Sequence, residues 1–185
     1  TESFEEEDSN SDFLPLLDWD AAAKVEPLEF LYGPAYTPST VSGTIAPGGA
    51  GKTAALVTET LAMASGRDLF NIDKRGNAAK IDALNVCVWN AEDDDKEMKR
   101  RFRAAELAFK DLIEGTGYRK RVRLKSAESP LSIAKIERGN VVLNEKFVAK
   151  MIRWIRKREI DVLIVDPFIA THAAATNDND GISKV

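Results

Sequence analysis

The residues at 46–53, which read Ala-Pro-Gly-Gly-Ala-Gly-Lys-Thr, have the composition of a loop that binds phosphate groups. They match the pattern G-x-x-x-x-G-K-[ST] except that Ala46 replaces the first glycine, a change that should affect turn geometry more than charge. Glycines let the backbone bend so that successive N–H groups point at one phosphate, and a helix that follows adds the positive end of its dipole. Lys52 would then reach the β- and γ-phosphate oxygens of a nucleotide as a point charge. The predicted nucleotide-binding residues are Pro47, Gly48, Gly49, Ala50, Gly51, Lys52, Thr53 and Ala54.

Two further regions supply the acidic groups that nucleotide hydrolysis requires. Asp166 ends the apolar run 163–165, and its carboxylate, with the hydroxyl of Thr53, suits a Mg²⁺ ion whose shell the phosphates of ATP complete. Glu92 follows the apolar run 86–91, where it could orient or deprotonate the attacking water. The sequence therefore predicts Lys52, Glu92 and Asp166 as catalytic residues, Thr53 and Asp166 as metal ligands, and Mg²⁺ with ATP as the cofactor.

Three acidic residues directly after Glu92 compete with it for the catalytic role. They are Asp93, Asp94 and Asp95. Carboxylates also stabilise the positive end of a following helix, and Asp94 is a candidate cap. The sequence leaves both alternatives open for these three residues.

Hydrophobic periodicity places the candidate residues on alternating strands and helices. Continuous apolar runs are typical of buried parallel strands, and apolar positions at helical spacing predict amphipathic helices. The predicted strands cover 39–47, 85–91, 121–127 and 161–168, and the predicted helices cover 53–65, 94–114 and 145–158, the last capped by Asn144. Between 130 and 144 the pattern fits either a hairpin that turns at 138–140 or a loop. The alternation predicts an α/β fold with a three-layer α/β/α parallel sheet.

The composition describes one ordinary globular domain preceded by an acidic segment. The 185 residues are 44% hydrophobic and 30% charged, and no apolar run approaches the roughly 18 to 20 residues that cross a bilayer. Residues 1–12 are polar and acidic, which predicts a disordered tail or linker, and 13–185 form the predicted domain. The single cysteine, Cys87, lies in an apolar run, which predicts a small buried side chain and a reducing, cytoplasmic environment.

The distribution of charge adds one candidate contact with a polyanion. The net charge of −4 argues against a uniformly basic nucleic-acid binder. Residues 96–125, however, contain eleven Lys and Arg residues against four acidic residues. Such a run can attract a polyanion, although solvated helix and strand faces explain basic runs more often.

Three segments in order resemble the RecA-like P-loop ATPase family typified by the plasmid RepA-type hexameric replicative helicases. They are the loop at 46–53, the segment NAEDDDKEMKRRF at 90–102 and the segment IDVLIVDPF at 160–168, followed by TNDND at 176–180. In that family a strand ends in Glu-Asp and the next helix carries a basic-aromatic pair, which Glu92-Asp93 and Arg101-Phe102 match. The resemblance covers roughly 40–180.

The resemblance implies a Mg²⁺-dependent RecA-like motor domain that hydrolyses ATP and acts on DNA in replication or recombination. It implies that Glu92 is the catalytic glutamate, that Asp166 is the metal-side carboxylate, and that the partners are single-stranded DNA and further copies of the chain in a hexameric ring. The stretch at 176–180 resembles a loop that faces nucleic acid. The family continues past the position of Val185 into a strand with a polar sensor residue, so we expect a domain that lacks the C-terminal strands, and neither sensor nor arginine finger is assigned.

Two other functions are compatible with the phosphate loop. A small-molecule phosphotransferase usually needs an arginine-rich lid, for which 119–125 is a candidate, although the alternation of its basic residues with Val122 and Leu124 favours a strand. A nucleotide-binding scaffold that switches partner contacts without hydrolysis is the other, because the sensor strand is not in this sequence. His172 is the only histidine and has no nearby Cys or His in the sequence, so it is not predicted to bind a metal.

Overall fold

The computed structural model describes residues 16–71, 81–128, 131–137 and 140–171. The helices are α1 (Trp19–Ala22), α2 (Lys52–Ser65), α3 (Asp95–Ala108), α4 (Lys110–Ile113) and α5 (Glu145–Lys157). The strands are β1 (Val86–Asn90), β2 (Val122–Lys125), β3 (Ala134–Glu137), β4 (Asn140–Leu143) and β5 (Val162–Asp166), and short 3₁₀ turns cover Tyr118–Lys120 and Phe168–Thr171. The predicted acidic tail at 1–12, His172 and the stretch at 176–180 lie outside the described residues.

Three parallel strands form the sheet that organises the molecule, in the order β2-β1-β5. The register pairs Val86 of β1 with Val122 and Val162, and it pairs Asn90 with Asp166. The carboxyl ends of β1 and β5 therefore lie side by side. Among the described strands β2 lies at an edge of this sheet, a position that its alternating basic residues suit.

Helices cover both faces of the sheet, which a parallel sheet requires. On one face Val86 and Val88 pack in a core with Val57 and Met63 of α2 and with Met98 of α3, each of them at most 1% exposed. Burial of each such side chain contributes about 1.5–3 kcal/mol to stability. On the opposite face the ring of Trp89 meets that of Phe147 on α5 edge-on, with 6.0 Å between the ring centroids. The predicted three-layer α/β/α parallel arrangement is confirmed.

Most predicted elements are confirmed within a few residues. The predicted helix at 94–114 divides at Phe109 into α3 and α4. The open alternative at 130–144 is settled in favour of two antiparallel strands, β3 and β4. Asp94 and Asn144 cap α3 and α5, since their side chains accept hydrogen bonds from the backbone N–H of Glu97 and Phe147. Cys87 is buried as predicted, and burial raises the pKa of its thiol to about 11.

The predicted strand at 39–47 is wrong for the described structure. No strand is present there, and the side chains of Val41 and Ile45 are almost fully exposed. The β-branched residues give this segment strand propensity, but that propensity mainly reflects fit to a half-buried, paired surface. The segment pairs with none of the described strands, so it lacks the paired surface on which β-branched residues favour a strand.

A helix that spans a bilayer must be both long and apolar. None of those in the described part of the chain is long and apolar enough to span a bilayer.

Candidate functional site

The phosphate loop lies directly before α2, whose amino end is exposed while its carboxyl-terminal half is buried in the core. Gly51 occupies the position before the helix with φ of 85°, in the left-handed region that glycine adopts without strain. It has no side chain to cap α2, so no side-chain hydrogen bond satisfies the first amide groups of the helix. Uncapped amides together with the helix dipole suit an anion such as a phosphate.

The side chain of Lys52 lies over this loop. Its Nζ donates hydrogen bonds to the carbonyl oxygens of Ala46, at 2.7 Å, and Pro47, at 2.9 Å. The substitution of alanine for glycine at 46 leaves this contact intact, because the acceptor is a backbone carbonyl. The ammonium group is therefore held at the mouth of the loop, where a phosphate would meet it.

Asp166, the last residue of β5, faces the first turn of α2. The Oγ1 hydroxyl of Thr53 donates to Oδ2 of Asp166 at 3.3 Å, across 113 residues of sequence. A hydroxyl and a carboxylate are hard oxygen ligands of the kind that Mg²⁺ prefers, and nucleotide sites commonly use one or two such groups with phosphates and water. No cluster of three or more His, Cys, Asp or Glu side chains suited to a metal occurs among the described residues. The pair therefore fits a nucleotide-linked Mg²⁺ better than a dedicated metal cage.

Asn90 is a site residue that our sequence analysis missed. It is the last residue of β1, it is completely buried, and it pairs with Asp166 in the sheet. Its Nδ2 donates to Oδ2 of Asp166 at 3.3 Å, and its Oδ1 accepts from the backbone N–H of Glu92 at 3.0 Å and of Asp93 at 2.6 Å. The available signal was a polar residue at the end of an apolar strand, two positions before the candidate glutamate.

The four acidic residues after β1 occupy different environments. Asp93 contacts Arg101 at 3.4 Å, Asp94 caps α3, and Asp95 forms an ion pair with Lys99 at 2.5 Å. Glu92 is exposed, and no described residue donates a hydrogen bond to its carboxylate. The three rivals thus have structural partners, whereas the Glu92 carboxylate stays available at the same end of the sheet as Asp166.

A second cluster of charges lies at the opposite, amino end of the sheet, around an open cavity of about 500 Å³. There the Tyr118 hydroxyl, with the guanidinium groups of Arg103 and Arg119, lowers the pKa of Glu106 to about 2. Arg119 precedes β2 and its Nη2 lies 2.7 Å from Oε1 of Glu106. The start of the basic run at 119–125 therefore pairs with Glu106, far from the phosphate loop. An arginine-rich lid would have to act at the phosphate loop.

Comparison with known proteins decides the family. A family model described as an AAA domain matches residues 7–185. The chain belongs to this AAA domain family. The AAA domain has the P-loop NTPase fold and is a nucleotide-binding ATPase domain, in agreement with the P-loop ATPase part of the sequence resemblance. No curated protein and no solved structure matches the chain.

Proposed function

We propose that this AAA domain is a Mg²⁺-dependent, RecA-like ATP-hydrolysing motor that acts on single-stranded DNA in replication or recombination, as a helicase-type ATPase. The observation that carries the proposal is the approach of Thr53 to Asp166 at the amino end of α2, 3.3 Å between the two oxygens. It brings the hydroxyl of the phosphate loop to the carboxylate of a separate strand, which is the pairing that phosphoryl-transfer sites use.

In the proposed reaction the loop amides and Lys52 hold the β- and γ-phosphates. Thr53 and Asp166 would hold Mg²⁺, which when bound neutralises charge on the phosphate oxygens. Glu92 orients a water molecule and accepts its proton as the water oxygen attacks the γ-phosphorus. The bond from that phosphorus to the bridging oxygen of the β-phosphate breaks, and the products are ADP and inorganic phosphate. The rate enhancement comes from positioning and electrostatic stabilisation.

The proposal extends to assembly and domain limits. The sequence resemblance supports a homo-oligomeric ring, and the exposure of Glu92 leaves room for a neighbouring subunit to complete the site. The basic run at 96–125 supports contact with a polyanion, since its eleven cations exceed its four acids. We place the domain at 13–185 and assign 1–12 as a tail or linker.

Two alternatives are less well supported by the described geometry. A small-molecule phosphotransferase would need a lid, yet Arg119 pairs with Glu106 at the opposite end of the sheet. A non-hydrolysing scaffold would leave an exposed glutamate at the same end of the sheet as Asp166 without a purpose. Transfer of the γ-phosphoryl group to a small acceptor on which turnover depends would select the first alternative, and ATP binding without hydrolysis would select the second.

The test is an ATPase assay on the full-length protein, with and without single-stranded DNA. We expect Lys52→Ala to abolish turnover, because it removes the charge that holds the phosphates. The control Lys150→Ala, at an exposed position on α5 outside the basic run, should keep the wild-type rate. Single-stranded DNA should stimulate the wild-type rate, and the stimulation should fall as salt rises. Wild-type turnover in Lys52→Ala would overturn the ATPase assignment, and a rate indifferent to DNA would overturn the DNA-linked part alone.

A further inference from the structure

We propose that Asn90 is a positioning residue that fixes the catalytic glutamate relative to the metal-side carboxylate. The inference rests on the proposed function and goes beyond it, because it assigns the alignment of Glu92 and Asp166 to one buried amide. Asn90 touches neither substrate nor metal in this scheme, so it acts through these two residues.

The Asn90 side chain makes hydrogen bonds in two directions. Its one carbonyl oxygen accepts from two successive amides, those of Glu92 and Asp93, and its amide nitrogen donates to Asp166. Accepting from the backbone two and three residues ahead is the geometry by which Asn sets a tight turn. The Asn90 side chain thus joins the turn that leaves β1 to the carboxylate of Asp166, beside the backbone hydrogen bond from the N–H of Ala91 to the Asp166 carbonyl at 2.7 Å.

The Glu92 side chain has no hydrogen-bond partner among the described residues. The side chain is also exposed, so its position depends on the backbone of Glu92. That backbone is tied by Asn90 on one side, while the contact of Arg101 with Asp93 and the cap by Asp94 fix the residues that follow. Backbone hydrogen bonds hold the neighbours of Glu92, from the N–H of Ala91 to the carbonyl of Asp166 and from the N–H of Ala127 to the carbonyl of Asp93, but only the Asn90 side chain accepts from the N–H of Glu92 itself. Loss of Asn90 would therefore loosen the backbone of Glu92.

An amide side chain has the chemical groups that position 90 requires. Thr53 and Asn90 both donate to the same oxygen of Asp166, Oδ2, at 3.3 Å each. Asn supplies a donor and an acceptor in one rigid, uncharged group. Aspartate would keep the acceptor but bring a second carboxylate against Asp166, and leucine would keep the size but make no hydrogen bond. This contrast provides two informative substitutions.

The test measures kcat and ATP affinity separately for Asn90→Asp and Asn90→Leu in the full-length protein. We expect kcat to fall about 10- to 100-fold, the range seen when partners that orient metal-site ligands are removed, while ATP affinity changes less than threefold. Thr60→Val is the matched control, since Thr60 is also fully buried and its hydroxyl donates a single hydrogen bond, to the Leu56 carbonyl. It should lower stability to urea but leave kcat within twofold.

A double-mutant cycle with Glu92→Gln separates positioning from general destabilisation. If Asn90 acts through Glu92, adding Asn90→Asp to Glu92→Gln should lower the single-turnover rate by less than twofold. The inference would be overturned if the rate losses of the two substitutions multiplied fully in the double variant, or if both Asn90 variants had the wild-type kcat. In either case the proposed function would still stand, provided that hydrolysis depends on Lys52. If Asn90→Leu fails to fold, Asn90→Asp alone decides. Absence of Lys52-dependent hydrolysis in the wild-type protein would overturn the proposed function and this inference with it.

Discussion

Helix α2 has a left-handed glycine at each end, and we predict that alanine substitutions at the two positions have opposite consequences. Gly51 ends the phosphate loop with φ of 85°, and Gly66 follows the last turn with φ of 66°. A Cβ atom at Gly51 would lie in open space, whereas one at Gly66 would lie 2.6 Å from the carbonyl oxygen of Ile81. The backbone strain of an alanine would be similar at both positions, but only Gly66 is packed against other residues.

The magnitudes follow from these two environments. A left-handed L-residue costs about 1–2 kcal/mol, and removing glycine returns about 0.4–1 kcal/mol by restricting the unfolded chain. At Gly66 the clash adds about 1–3 kcal/mol, giving a net loss of roughly 1–5 kcal/mol in the free energy of unfolding. At Gly51 the exposed loop relaxes, so stability changes by less than about 1 kcal/mol. Binding ATP would restore the strained conformation, which lowers affinity about 5- to 30-fold.

Urea denaturation and equilibrium ATP binding measure the two effects on the same preparations. We expect Gly66→Ala to unfold at lower urea with ATP affinity within twofold of the wild type, and Gly51→Ala to show the reverse. The reasoning fails if Gly51→Ala binds ATP as tightly as the wild type, or if it destabilises the fold as much as Gly66→Ala does.

Two further predictions concern acidic residues at opposite ends of the sheet. Glu92→Gln should lower kcat about 100- to 10,000-fold in ATPase assays, the usual contribution of a general base. Asp93→Asn removes only the contact with Arg101, so its kcat should stay within about threefold of the wild type. Equal losses in both variants would contradict the assignment of Glu92. The pKa of Glu106 is lowered to about 2 from an ordinary 4.5, so its ionised form stabilises the fold above pH 4.5 and that contribution is lost as the pH falls towards 2. Glu106→Gln should therefore destabilise the protein to urea at pH 7 and approach the wild type near pH 2; a difference that is independent of pH would refute this account.

The elements that depend on local patterns were predictable from the sequence. The apolar run that becomes β1, the amphipathic helix α5 and the Asp94 cap each follow from residues within one or two turns of each other. The phosphate loop was equally accessible, because its glycines and lysine are contiguous. Such features need no knowledge of which distant segments meet.

The features that depend on distant contacts could not be predicted. Asn90 reads as one more residue of an apolar strand until the register places it beside Asp166, 76 positions away. The segment at 39–47 has strand composition, but whether it forms a strand depends on a partner that composition does not specify. The lowered pKa of Glu106 owes its largest contribution to Tyr118, which approaches from beyond α4 as Arg119 does, although Arg103 on the same helix also contributes.

The pair of carbonyl groups that hold the Lys52 ammonium has a consequence for the catalytic cycle. In the proposed reaction ATP would have to draw the ammonium away from Ala46 and Pro47, so the gain on binding would be only the difference between two sets of hydrogen bonds. Once the terminal phosphate had left, the same two oxygens would compete for the ammonium again. The proposed cycle would thereby combine weaker binding of ATP with faster departure of the spent nucleotide.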